Sequence, residues 1–291
     1  GKYDNVRRYW EDDITRMFLK PHLQEQIQHI QGRMQRLRIL DIGCGGADGY
    51  DLLMDMSDSP RLTEGSSRII PPEMLSEYKG IDLNEGLLNQ ARSIHAKNPK
   101  VKFERADFTK GLNEESFDVY FTSYGTCSHH NYDETMIQMI SDIARQVEGS
   151  AIIVCDWIGR HSYEWQDLWD NGAKNMDYVV SYIYEKDERE RLRDELEHLS
   201  LRRMGQTDAE IIRKAAEEMS GENINVVQYF DRSLFTGRHM DTAEYNSYAQ
   251  PVRHAVNSLH EDNKRTDLDE LIIDYQPKEG FEDLNKYFEK I

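Results

Sequence analysis

Four stretches of this chain put ligand-binding side chains at the ends of apolar runs, where chemistry could follow. The first is Leu40-Asp41-Ile42-Gly43-Cys44-Gly45-Gly46. A strand that ends in glycines lets the backbone approach a ligand closely, and the helix after it offers its positive N-terminal end. Such a turn at the carboxyl edge of a strand suits a nucleotide-like ligand. The second, Gly80-Ile81-Asp82-Leu83-Asn84, sets a carboxylate where it can accept both hydroxyl hydrogens of a ribose. The third, Arg105-Ala106-Asp107-Phe108, joins a carboxylate able to receive an adenine amino group to a ring able to cover the base. The fourth is Phe117-Asp118-Val119-Tyr120-Phe121-Thr122-Ser123-Tyr124. Its end, with Ser123 and Tyr124, is expected to face the reactive end of such a ligand.

Two common phosphate-binding patterns are absent. A dinucleotide fingerprint needs glycine at 43, 45 and 48, and position 48 is Asp48. A Walker loop needs Gly-Lys-Ser/Thr to close the turn, and none does so.

The elements that must hold these residues alternate. Helical spacing predicts a helix over 6–31, kinked or split at Pro21. Strands follow at 37–42, 78–82, 101–105, 117–123 and 151–157. Helices over 47–56 and 85–96, and a stripe of Met136, Ile140, Ile143 and Val147, lie between them. Residues 57–77, with Pro60, Pro71 and Pro72, read as an inserted loop. This alternation predicts an α/β fold with a doubly wound, mostly parallel sheet. After Gly159 the rhythm changes. Residues 176–184, 224–230 and 270–275 read as further strands, 185–203 as a charged helix with a solvated face, and Thr207-Asp208-Ala209-Glu210 as a capping box that opens another helix.

In order and context, Asp41-x-Gly43-x-Gly45, Asp82, Ala106-Asp107 and Phe117-Asp118-Val119 resemble class I S-adenosylmethionine-dependent methyltransferases of the small-molecule type. The resemblance covers roughly residues 36–158. It implies a Rossmann-like, seven-stranded sheet with S-adenosyl-L-methionine lying over the ends of strands one, two and four. By that resemblance Gly43 and Gly45 line the methionine part and Asp41 organises the turn. Asp82, with Leu83 next to it, takes the ribose, Asp107 and Phe108 hold the adenine, and Ser123 completes the cofactor set. Two departures stand out. The family's third glycine falls at Ala47. Asp82 follows Asp41 by 41 positions, where such folds have roughly 20. An insertion at 57–77 accounts for the surplus.

The acceptor pocket is expected beyond the fourth and fifth strands, because methyl transfer is an in-line displacement that needs alignment. A neutral oxygen or nitrogen acceptor must also lose a proton. In the segment 123–130, His129 is the first choice for a general base and Tyr124 is placed near the donor methyl. Trp157, Tyr163 and Trp165 form an aromatic cluster suited to a substrate wall. Arg238 could hold a substrate carboxylate, and His239 offers a second base. Each choice has a plainer structural alternative. The glycines could be an ordinary turn, Asp82 a helix cap, Asp107 a turn carboxylate, His129 a structural histidine, and Trp165 with Trp169 helix packing. No carboxylate set suggests a metal.

The resulting division is an N-terminal helical lid at 1–36, a cofactor-binding core at 37–160, a mainly helical cap at 161–223, and strands and helices at 224–291 that complete the sheet. The 54 acidic and 36 basic residues give a formal charge of −18. This disfavours nucleic acid lying across the surface and anionic lipid as partners, and favours a small-molecule substrate in a capped pocket. No apolar run spans a bilayer, the opening segment lacks a secretory apolar stretch, and Cys44, Cys127 and Cys155 are scattered, so a cytoplasmic monomer or homodimer is expected. The leading expectation is methyl transfer to an oxygen, nitrogen or carbon atom. One alternative keeps the cofactor but diverts it to intramolecular cyclisation or non-methyl transfer, releasing methylthioadenosine. Another is a non-catalytic binding protein on the same fold.

Overall fold

The computed structural model describes residues 11–59, 66–169, 174–179, 198–231, 246, 248, 255, 258–259, 263–272 and 274–290. They belong to two compact bodies. One comprises residues 15–157 and 206–229; the other comprises 1–14, 158–205 and 230–291.

The first body is built on a parallel sheet. Its strands are β1 (Leu37–Ile42), β2 (Leu75–Asp82), β3 (Val101–Arg105), β4 (Val119–Phe121) and β5 (Ile152–Val154), in the order β3-β2-β1-β4-β5. All four pairings are parallel. β1 lies at the centre, and Leu37, Ile39, Leu40 and Ile42 are fully buried, as a strand covered on both faces requires. Each such side chain contributes about 2 kcal/mol relative to exposure. In register, Asp41 lies opposite Gly80 on one side and Phe121 on the other, and Asp82 lies opposite Arg105. Strand order runs outward in opposite senses from β1 and β4. Their carboxyl ends therefore form the switch point where open α/β sheets bind ligands.

Helices connect these strands. Helix α1 (Asp12–Gly32) is continuous through Pro21, so the expected kink or split does not divide it into two helices. From Thr15 on it belongs to this body and buries Leu19, Leu23, Ile27 and Ile30 at helical spacing. The Gln26 amide donates to the carbonyls of Asp118 and Ser150 at 3.3 and 3.1 Å. Residues 15–32 are thus part of the core packing; residues 1–10 of the expected lid lie outside the described residues. Helix α2 (Asp48–Met54) follows β1, and α3 (Glu85–His95) follows β2, capped by the Asn84 side chain on the Leu87 amide at 3.2 Å. Helix α4 (Asp133–Gln146) buries Met136, Met139, Ile140 and Ile143 and packs against α5 (Gln206–Ser220).

The stretch between α2 and β2 is more than a loop. Ser57 and Arg68 form an antiparallel bridge, Ile69 and Ile70 are buried, and β2 begins at Leu75, ahead of the expected Tyr78. The inserted residues lie before the strand, so Asp82 keeps its place at the tip of β2.

The second body holds a separate three-stranded sheet of order β6-β8-β7, made of β6 (Ile158–Gly159), β7 (Asn175–Val179) and β8 (His198–Met204). It also holds α6 (Glu282–Phe288). Several expectations are corrected here. Among the described residues the central sheet has five strands, not seven. Of the segment 176–184, residues 176–179 lie in β7 of the other sheet, and 180–184 lie outside the described residues. Residues 224–230 run as irregular backbone, and Leu268–Leu271 forms a 3-10 turn where 270–275 was expected as a strand. In the expected charged helix 185–203, residues 198–203 are extended in β8 and the rest lie outside the described residues. Residues 206–229 group with the first body, which departs from the expected boundaries at 161–223 and 224–291.

Candidate functional site

The site grows from the tip of β1. Gly43 and Gly45 take left-handed backbone angles, φ 72° and 52°, that glycine adopts without steric cost. At Gly43 the absence of a side chain is also a matter of space, because any Cβ would collide with the Thr126 methyl. Among the described residues a Cβ on Gly45 would meet only Leu87, at 3.8 Å, so they leave the face above that residue open.

The turn is stitched to the neighbouring strand. The amides of Gly43 and Cys44 both donate to the Ile81 carbonyl, at 2.8 and 3.0 Å. The Gly45 amide donates to Oδ2 of Asp82 at 2.8 Å, and Oδ1 of Asp82 accepts the Asn84 amide at 2.8 Å. Each carboxylate oxygen has spare acceptor capacity. Leu83, next along, is exposed.

Asp41, expected to organise the turn, takes its side-chain hydrogen bond from a neighbouring strand. It is wholly buried, and its Oδ2 accepts from the Tyr78 hydroxyl, not from the turn. Oδ1 has no hydrogen-bond partner among the described residues. Burial pushes its carboxyl up to about 7, against the opposing pull of the Tyr78 hydroxyl, and the charges of Asp82 and Asp48 push the same way as burial. Gly49 of α2 makes room for this arrangement, since a Cβ there would strike Oδ2 of Asp41 and approach Phe121 at 3.1 Å. Close helix–strand packing is the task of the third glycine in a dinucleotide fingerprint. Here it falls to Gly49, which the sequence reading did not single out.

Asp107 caps the 3-10 turn Phe108–Lys110. Its Oδ1 accepts the Thr109 amide at 3.1 Å and the Thr109 hydroxyl at 2.5 Å, and Lys110 lies 3.3 Å from Oδ2. The Thr109 hydroxyl chiefly holds this carboxyl below the usual range. The half-buried Phe108 ring meets the His130 ring edge-on, with centroids 4.5 Å apart.

Beyond β4, Ser123 is buried, and its carbonyl accepts from Thr126 through both the amide at 3.1 Å and the hydroxyl at 2.7 Å. Tyr124 and Gly125 between them are both left-handed, φ 54° and 76°. A non-glycine residue there carries strain of about 1 kcal/mol. Asp156, at the end of β5, holds this turn in place. Its Oδ2 accepts the Gly125 amide at 3.1 Å, its carbonyl accepts the Cys127 amide at 3.2 Å, and its own amide donates to the Thr122 hydroxyl at 2.9 Å. The sequence contained a signal for Asp156, a carboxylate at the tip of a strand like Asp82, but the reading passed over it.

His129 is exposed and His130 is half-buried. Burial, then the neighbouring His129, pushes the His130 imidazole down, so it is neutral at physiological pH. Trp157 is half-buried at the end of the first body.

Two expected wall residues lie in the second body and serve its packing. Trp165 is 2% exposed in a cluster with Met176, Tyr178 and Leu201. Tyr163 packs with Trp169 and Phe288, flanked by Tyr275. Burial in these apolar clusters gives both side chains structural work, and Trp165 and Trp169 pack in different clusters. Arg238 and His239 lie outside the described residues. Among the described residues no cluster of three or more histidine, cysteine or acidic side chains could hold a metal, and no helix is long and apolar enough to cross a membrane.

Residues 40–155 match the methyltransferase domain family. No curated protein matches the chain. Among solved structures it is similar to an S-adenosylmethionine-dependent methyltransferase from Clostridium acetobutylicum ATCC 824, at 12% identity over 62% of this chain and 72% of that one, with a TM-score of 0.43. It is also similar to the sugar N-methyltransferase KedS8 from Streptoalloteichus sp ATCC 53650, at 14% identity over 69% and 77%, with a TM-score of 0.40. A third is CalS10 with S-adenosylmethionine bound, an amino pentose methyltransferase from Micromonospora echinaspora, at 12% identity over 68% and 80%, with a TM-score of 0.39. The matched span, which is the methyltransferase-like part of the chain, contains the glycine turn, the carboxylates at the tips of β2 and β3, and the turn beyond β4.

Proposed function

We propose that this protein transfers a methyl group to an oxygen, nitrogen or carbon atom of a small-molecule acceptor. The observation that carries the reading is the stitched turn at the switch point, where Asp82 ties Gly45 to β2 beside an open backbone face. The residues present fit S-adenosylmethionine. Gly45 leaves space above it, Asp82 keeps acceptor capacity for ribose hydroxyls, and Oδ1 of Asp41 is a buried acceptor without a partner among the described residues.

S-adenosylmethionine supplies an electrophilic methyl group on a sulfonium. The chain supplies position. Gly43 and Gly45 bring backbone close to the methionine portion, with Ser123 completing the wall and Asp41 buried beneath the turn. Asp82 and Leu83 take the ribose, and Asp107 with Phe108 takes the base. The turn of Tyr124 and Gly125, fixed by Asp156, holds the acceptor side in register. Rigidity there matters, because a small misalignment of an in-line displacement costs much of the rate. His129, exposed at the edge of that turn, is placed to take a proton from a neutral acceptor and pass it to solvent. Trp157 is the wall residue of the first body that remains available. Arg238 and His239 keep their proposed roles as carboxylate holder and second base on sequence grounds alone. The acidic surface favours a small acceptor over a nucleic acid.

Calorimetry with S-adenosylhomocysteine, followed by incubation of the protein and S-adenosylmethionine with hydroxyl-, amine- and carbon-acid-bearing small molecules, tests this reading. Binding, with acceptor-dependent formation of S-adenosylhomocysteine, is expected. Absence of binding at millimolar ligand sinks the reading. Methylthioadenosine formed without an acceptor would replace it with intramolecular diversion of the cofactor.

A further inference from the structure

Phe108 and His130 come from different parts of the fold, one after β3 and one before α4, yet their rings meet 4.5 Å apart at 69°. They make a two-walled aromatic corner, and Asp107 stands at its base, one residue from Phe108. A flat heterocycle lying against one wall meets the other edge-on. Neither ring nitrogen of His130 forms a hydrogen bond to a described residue, and the ring is half-buried, so its polar edge remains available to a ligand. A neutral imidazole offers one donor and one acceptor, which matches the alternating donors and acceptors along the edge of a purine. His129, next in sequence, is exposed.

We propose that His130 is a positioning residue for the cofactor's base, forming the second wall of the adenine pocket and hydrogen-bonding to the base edge, and that it is not the proton acceptor for the methylated substrate. This rests on the reading of Asp107 and Phe108 as the adenine site. It adds a residue to that site and assigns the two adjacent histidines to different ends of the same ligand. His129 lies toward solvent, and His130 lies against the base.

The test uses the full chain and S-adenosylhomocysteine. Titration calorimetry is run on the unmodified protein, on His130→Ala and on His130→Phe, with thermal unfolding as the control for folding. In parallel, the ring nitrogens of His130 are followed by nitrogen-15 NMR in the unmodified protein as ligand is added. His130→Ala is expected to weaken binding about tenfold, the size of one lost hydrogen bond with its packing. His130→Phe, which keeps a ring but no nitrogen, is expected to fall between the two. The His130 nitrogens are expected to shift on binding. Unchanged affinity in both variants overturns the proposal, as does an unshifted His130 resonance in a protein that binds the ligand. The resonance decides the matter even where a variant fails to fold. No binding by the unmodified protein marks a failure of the cofactor site itself, a separate result from failure of His130 within a working site.

Discussion

The carboxylate of Asp82 accepts the Gly45 amide at 2.8 Å, so one side chain joins the tip of β2 to the glycine turn of β1. With the Asn84 amide on its other oxygen, Asp82 fixes its own rotamer before any ligand arrives. A ribose would then meet a carboxylate already aimed, with little side-chain freedom left to lose. The bond gives Asp82 a structural role beside the ribose-binding role we propose for it, and the two separate by experiment.

Asp82→Ala removes both backbone bonds and the ribose acceptor. Stability is expected to fall by about 1 to 3 kcal/mol, the cost of leaving polar groups unpaired. Affinity for S-adenosylhomocysteine is expected to fall by about 100-fold, since hydrogen bonds to a charged group are worth about 2 kcal/mol or more each. Asp82→Asn keeps one acceptor and should lie between. Urea unfolding and calorimetry read the two effects, and wild-type affinity in Asp82→Ala would remove this residue from the site.

The buried pair of Asp41 and Tyr78 predicts a pH dependence of stability. The Asp41 carboxyl is raised from 3.8 to about 7 in the folded protein, chiefly by burial. A group raised on folding contributes stability that is complete below its unfolded value and is lost as pH climbs through the folded value. Between about pH 4 and pH 7 the unfolded chain gives up this proton while the folded chain keeps it. The contribution therefore declines by about 1 kcal/mol per pH unit. Asp41→Asn abolishes that titration, so its stability relative to wild type should rise steadily across the window. Urea midpoints of the two proteins at several pH values provide the check. Parallel curves would show that Asp41 is already ionised in the fold.

What could be read from sequence, and what could not, divides by the range of the cause. β1 was legible because Leu37–Ile42 is an apolar run followed at once by glycines, and both signals are local. The position of Asp82 at a strand tip was legible even though the insertion displaced it in sequence. The burial of Trp165 was not legible, because an aromatic cluster looks the same in sequence whether it walls a pocket or fills a core; the packing of Met176, Tyr178 and Leu201 around it is not local. His130 carries no sequence signal that separates it from His129. The burial of His130 and the approach of the Phe108 ring, from a different strand's end, tell them apart.

Gly49 is the sharpest case of a long-range cause. In an exposed helix, replacing glycine by alanine stabilises by about 1 kcal/mol. Gly49 lies in α2 with a Cβ position already occupied by Oδ2 of Asp41. Gly49→Ala must push the helix off the strand or displace a buried carboxyl. Overpacking of this kind costs about 1 to 3 kcal/mol, which outweighs the helix gain. A lower urea midpoint is expected, and a stabilised variant would show that α2 can shift freely.

Ala47 poses the reverse question, because the family's third glycine falls there and an alanine stands in its place. Its φ of 69° is left-handed, so an alanine stands where glycine would fit without strain, and the turn bears that strain in its backbone. Three terms decide the outcome of Ala47→Gly. Relief of the left-handed conformation gains about 1 kcal/mol or slightly more. Loss of a methyl group that is 1% exposed costs about 0.8 kcal/mol. The added freedom of glycine in the unfolded chain costs about 0.5 to 1 kcal/mol. The sum is a small loss of about 0.3 to 0.8 kcal/mol, whereas alanine to glycine at a buried site with ordinary backbone angles would cost the last two terms with no gain, about 1.3 to 1.8 kcal/mol. Ala47→Gly should therefore unfold within about 1 kcal/mol of wild type by this balance. A loss well above 1 kcal/mol would mean that the methyl group, packed beneath the turn, matters more than the backbone strain it brings.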